Sequence, residues 1–137
     1  MALILPAHRR QRGAAAVELA LVLPLLLLLL GGIVDFGRFF FAQVQFANAS
    51  REGVRALVLK APLADATQRA RDSIPGIATQ NFYVDPAKVV TCASSSFAQF
   101  QVSDPNFTWL ILSPAMRMVG SDITKKPASI ARMKCGG

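Results

Sequence analysis

Residues 14–34 carry a single charge, Glu18. A helix of about 20 apolar residues crosses the hydrocarbon core of a bilayer, and within lipid a lone segment must be helical to satisfy its own backbone. The run therefore predicts a single-pass membrane helix, and the rest of the 137 residues can build one small head. The apolar share of 53% is high for a soluble domain. Without this run the remainder reads as ordinary soluble sequence.

His8, Arg9, Arg10 and Arg12 directly precede the apolar run. Cytoplasmic loops collect such cations, so this end is expected inside and the head outside. The net charge of +7 invites a nucleic-acid reading. In the head, however, the cations are scattered among Asp65, Asp72, Asp85, Asp104 and Asp122, with no cluster tighter than Lys125–Lys126. A solvated surface is the simpler reading, and binding to DNA or an acidic polymer is the lesser one. Cys92 and Cys135 both follow the run, on the side where disulfides persist. A bridge between them is expected, with two separate thiols as the alternative. No metal and no cofactor are expected, because a zinc site needs about four ligands and the only histidine lies before the membrane run.

A secretory signal has a shorter apolar core and a small-residue cut site just beyond it. Here the only such site, ANAS at residues 47–50, lies far downstream. The Gly13–Ala14 boundary instead falls between the arginines and the apolar run. A cut there removes a basic leader and keeps the helix, with Glu18 as the fifth residue of the new chain. Pro24 leaves the Ala20 carbonyl unpaired, so a kink or a melted turn is expected at this point.

The stretch RGAAAVELALVLPLLLLLLGGIVDFGR, residues 12–38, resembles type IV prepilins, and among them the TadE/TadG-like pseudopilins of the Flp/Tad pilus. The tail at residues 113–133 also looks like that family's C-terminal end. The resemblance implies cleavage between Gly13 and Ala14 by a prepilin peptidase, and pairing of the Glu18 carboxylate with the Ala14 amine of a neighbouring subunit. Residues 19–30 would form the packing core of an assembly. The implied partners are other pilins, assembly-platform proteins, the peptidase and the bacterial inner membrane. The head would be periplasmic, then carried to the pilus at the cell surface. A head this large departs from a major Flp pilin and points to a minor, priming or tip subunit. A carboxylate at mid-bilayer costs about 2.5–3.5 kcal/mol, and the neighbour's amine would explain how Glu18 is tolerated.

Beyond the membrane the helix is expected to continue to Lys60, with Phe36, Phe40, Val44, Ala47, Val54 and Val58 as its apolar stripe. FGRFFF, residues 36–41, reads as an interfacial aromatic belt or as a packing surface. Pro62 predicts the start of a second helix over residues 62–74, ended by Pro75–Gly76. KVVTC (88–92), FAQFQV (97–102) and ASIARMK (128–134) read as strands, while TWLIL (108–112) is ambiguous between strand and helix. The expected fold is α+β: a leader over residues 1–13, a membrane and spine helix over 14–60, and a small antiparallel-sheet head over 61–137. With no His-based triad and no phosphate loop, catalysis is not expected. The rival to a pilin is an uncleaved, membrane-anchored periplasmic binding module; a released soluble domain starting near Ser50 fits less well.

Overall fold

A computed structural model describes the backbone over residues 8–136 and the side chains over residues 13–136. Residues 1–7 of the expected leader, and the side chains of its cations, lie outside the described residues. Helix α1 runs from His8 to Val58. It starts upstream of Gly13 and passes through Pro24 without interruption, so no melted turn forms there. At its far end the Ala61 N–H donates to the Ala56 carbonyl and the Lys60 N–H to the Leu57 carbonyl. These paired bonds tie off a helix end, and they hold Lys60 at φ 62°, a region a side chain rarely enters.

Helix α2, Leu63–Asp72, follows directly, with Pro62 as its cap and Asp65 in its first turn. Its small buried residues, Ala66 and Ala70, let it lie close against α1, and Ile74 fills the space beyond its end. Strand β1 is the two-residue Tyr83–Val84, β2 is Phe97–Ser103 and β3 is Ala128–Lys134. They form one antiparallel sheet in the order β1-β2-β3, with Phe100 opposite Ala131 and Gln99 opposite Arg132. Period-two alternation sends Ala98, Phe100 and Val102 into the core with Phe46, Val54 and Leu57 of α1. The outer face carries Arg132, whose Nε donates to Gln99 Oε1 at 2.6 Å. Gln43 acts as an extra rung on the sheet: its Nε2 donates to the Ala128 carbonyl at 2.7 Å and its Oε1 accepts the Ala128 N–H at 3.2 Å.

Three expectations are corrected. Residues 88–92 are not a strand. Pro86–Lys88 forms a tight 3-10 turn, capped by Asp85, which accepts the Ala87 N–H, and only Val90 bridges to Gln99. Of the ambiguous 108–112 stretch, residues 108–111 are irregular and Leu112 opens helix α3, Leu112–Met118. Finally, Phe36, Phe40 and Val44 do not face the core; all three are exposed. The buried face of α1 lies about half a turn round and carries Asp35, Phe39, Ala42, Phe46, Ala49, Gly53 and Leu57. Its small residues decide the matter, because they let the sheet approach the helix backbone. A Cβ on Gly53 would fall 2.7 Å from Phe100 Cγ.

Candidate assembly helix and its docking on the head

Every residue from 13 to 30 is exposed, and none in the most apolar stretch of α1 is buried by the head. Ala14 and Glu18 lie four residues apart, so one turn of helix brings them to the same side, about 6 Å along the axis. Gly13, Ala14, Glu18 and Pro24 thus share one projecting rod, and none of them touches the head.

Contact with the head begins at the glycine pair, Gly31–Gly32, within the 14–34 run that predicts a membrane helix. A Cβ on Gly31 would fall 2.5–2.8 Å from the Ile111 side chain, and one on Gly32 would fall 3.9 Å from Leu112 Cδ2. One turn further on, Asp35 is completely buried. Its Oδ1 accepts the Leu110 N–H at 2.9 Å, and its Oδ2 accepts those of Ile111 at 2.8 Å and Leu112 at 2.9 Å. Arg38 lies 3.7 Å away as a partner on the next turn. The carboxylate satisfies three backbone donors at the start of α3 that would otherwise have no partner, and it clamps residues 110–112 to the end of the apolar rod. Asp35 receives no role from the sequence alone. An acidic residue at that boundary was the available signal.

Beside this clamp lies an aromatic cluster. Trp109 stacks on Phe39 with ring centres 5.3 Å apart and meets Phe36 and Phe107 edge-on at 5.6 and 5.4 Å. Its Nε1 donates to the Lys125 carbonyl at 3.0 Å. The expected aromatic belt therefore divides: Phe39 joins the head, while Phe36, Phe40 and Phe41 stay exposed. Asp104, below the cluster, is buried and accepts the Asn106 N–H at 2.8 Å. Burial raises its pKa above the ordinary value; the Asn106 hydrogen bond and the charge on Lys126 oppose this without cancelling it.

At the opposite end of the head, Cys92 and Cys135 form a disulfide with Cα atoms 5.7 Å apart. Together with the Cys135 N–H donated to the Ser96 carbonyl, it ties the end of β3 to the loop before β2.

This architecture defines an α+β protein whose long helix, apolar enough to cross a membrane, extends well past a small disulfide-closed head. Residues 13–55 match the family model described as TadE-like protein. The matched segment lies wholly within α1, so it is this helix that is similar to TadE-like proteins. The match stops before the α2–β3 head and before the tail at residues 113–133. No curated protein and no solved structure matches the chain.

Proposed function

We propose that the protein is a minor pilin, or pseudopilin, of a Tad (Flp) type IV pilus, with a structural rather than a catalytic role. It is inserted with its arginine-rich end in the cytoplasm, cut between Gly13 and Ala14 by a prepilin peptidase, and assembled through its N-terminal helix. Hydrolysis of that peptide bond leaves the Gly13 carboxylate on the leader and a free amine on Ala14. In the water-poor interior of a helix bundle this amine pairs with the Glu18 carboxylate of a neighbour. An unpaired buried charge is far costlier than a paired one, so the contact sets register between subunits.

The observation that carries this reading is the bare rod itself: residues 13–30 expose a continuous apolar surface, interrupted only by Glu18, one turn from the cut site. Such a surface needs lipid before assembly and other helices after it. One observation favours the rival, an uncleaved anchored module: α1 runs unbroken across the Gly13–Ala14 bond, and a peptidase acts on an extended chain. Gly13 eases the required local unwinding by about 1 kcal/mol relative to alanine.

The test is the intact mass and N-terminal peptide of the protein from a membrane or pilus fraction. A chain beginning at Ala14 supports the pilin reading, and one beginning at Met1 moves the protein to the rival class. For the assembly step, Glu18→Ala is expected to insert normally into the membrane but to be lost from sheared pili. Wild-type incorporation of that variant would remove the register mechanism.

A further inference from the structure

We propose that the head makes a membrane contact of its own, in which residues 110–119, around α3, lie in the headgroup region of the leaflet on the head side. This rests on the reading of α1 as a bilayer-spanning helix, because α1 fixes where the membrane surface falls. If residues 14–30 occupy the hydrocarbon, the surface lies near Gly31, where Ile111 is packed. The start of α3 is pinned to that level by the Asp35 clamp, and its seven residues extend about 10 Å from it.

Four features of the segment suit an interfacial site. It exposes Leu110, Ile111, Met118 and Val119, with Met118 and Val119 at 89% and 75% of their full surface. Its first three backbone donors are already satisfied, since Asp35 takes the N–H groups of Leu110, Ile111 and Leu112. Chain that enters a bilayer surface without internal partners for such groups is heavily penalised. The Trp109 ring system packs on Phe36 and Phe39, about 8–12 Å further along α1 than Gly31, on the headgroup side where amphipathic aromatics settle. Exposed Lys125 and Lys126, with Arg117 held 3.6 Å from Asp122, leave a net positive charge beside it, which favours anionic phospholipid. Apolar residues beside such cations are what a surface-lying element needs. The contact would add a second attachment to the spanning helix and so limit the head's tilt before assembly.

The full chain, reconstituted in vesicles of mixed neutral and anionic phospholipid, provides the test. Met118→Trp and Val119→Trp place fluorescent probes at exposed positions, with the wild type giving the Trp109 background. Leu26→Trp is the reference inside the spanning helix. Emission from the head probes is expected to be blue-shifted, quenched at least twofold by lipids brominated high on the acyl chain, and little affected by aqueous iodide. Water-like emission quenched by iodide, with Leu26→Trp still quenched by bromine, would overturn this proposal alone. A blue shift insensitive to bromine and lost on dilution into excess lipid would mean that a second copy covers the site, which also overturns it. If Leu26→Trp is itself unquenched, the spanning reading fails and the proposal falls with it.

Discussion

Asp35 shows how one carboxylate can decide where a head sits on a membrane helix. Removing it leaves three donors at the start of α3 without acceptors, each worth about 1–3 kcal/mol when buried. With water partly replacing the lost acceptor, Asp35→Ala is expected to weaken this region by about 3 kcal/mol. Hydrogen exchange at the amides of Leu110, Ile111 and Leu112 should then accelerate by about 100-fold. Asp35→Asn, with a single acceptor oxygen, should fall between the two. Asp104 has the opposite sign. Its pKa is raised in the fold, chiefly by burial, so its contribution is most favourable below the unfolded value and is lost as pH rises through the folded one. Asp104→Asn keeps an acceptor for the Asn106 N–H and is neutral throughout. It should melt higher than wild type at pH 7, and the difference should vanish as the pH falls below the ordinary carboxylate value. A lower melting temperature at pH 7 would contradict this account. Neither role could be read from sequence, because each depends on backbone amides or burial supplied by distant chain.

At the scale of elements, α1 has two apolar faces, and periodicity alone could not rank them. Phe36, Phe40 and Val44 are large and apolar, yet the head chose the side where Phe39, Phe46 and Leu57 are interleaved with Ala42, Ala49 and Gly53. Close approach depends on what is small as much as on what is apolar. Gly53→Ala tests this. Helix propensity by itself would favour alanine by about 1 kcal/mol, but the added methyl would collide with the buried Phe100 ring. Overpacking costs about 1–3 kcal/mol, so a net loss in melting temperature is expected, whereas a gain would mean that Phe100 moves aside freely. Strands β2 and β3 were legible because alternation over seven residues is a local signal. Residues 88–92 misled because β-branched composition speaks for a strand while Pro86 and Asp85 close a turn just before it. Helix α3 left little trace, being too short for periodicity and held by Asp35 from 77 positions away at its far contact.

At the scale of the whole molecule, the rod and the head are stabilised differently. The rod gains no cover from the head, whereas the head depends on a small core and on Cys92–Cys135. Closing a loop of 44 residues is worth about 4 kcal/mol on the chain-entropy account. In detergent, reductant should therefore lower the melting temperature followed by Trp109 fluorescence, while helical signal from the rod persists. An unchanged transition would show that the core and the Asp35 clamp suffice without the bridge.

The sequence by itself determined the apolar rod, its single carboxylate near a small-residue boundary, the α+β class, the two long strands and the cysteine pair. All are legible because lipid length, period-two alternation and cysteine chemistry act within a few residues or within one compartment. Tertiary structure alone decided which face of α1 is buried, that Gly31 and Gly32 meet the head, and that Asp35 serves as the clamp. Those outcomes depend on which distant surfaces come within an atom's width of each other, and no local pattern of residues encodes that distance.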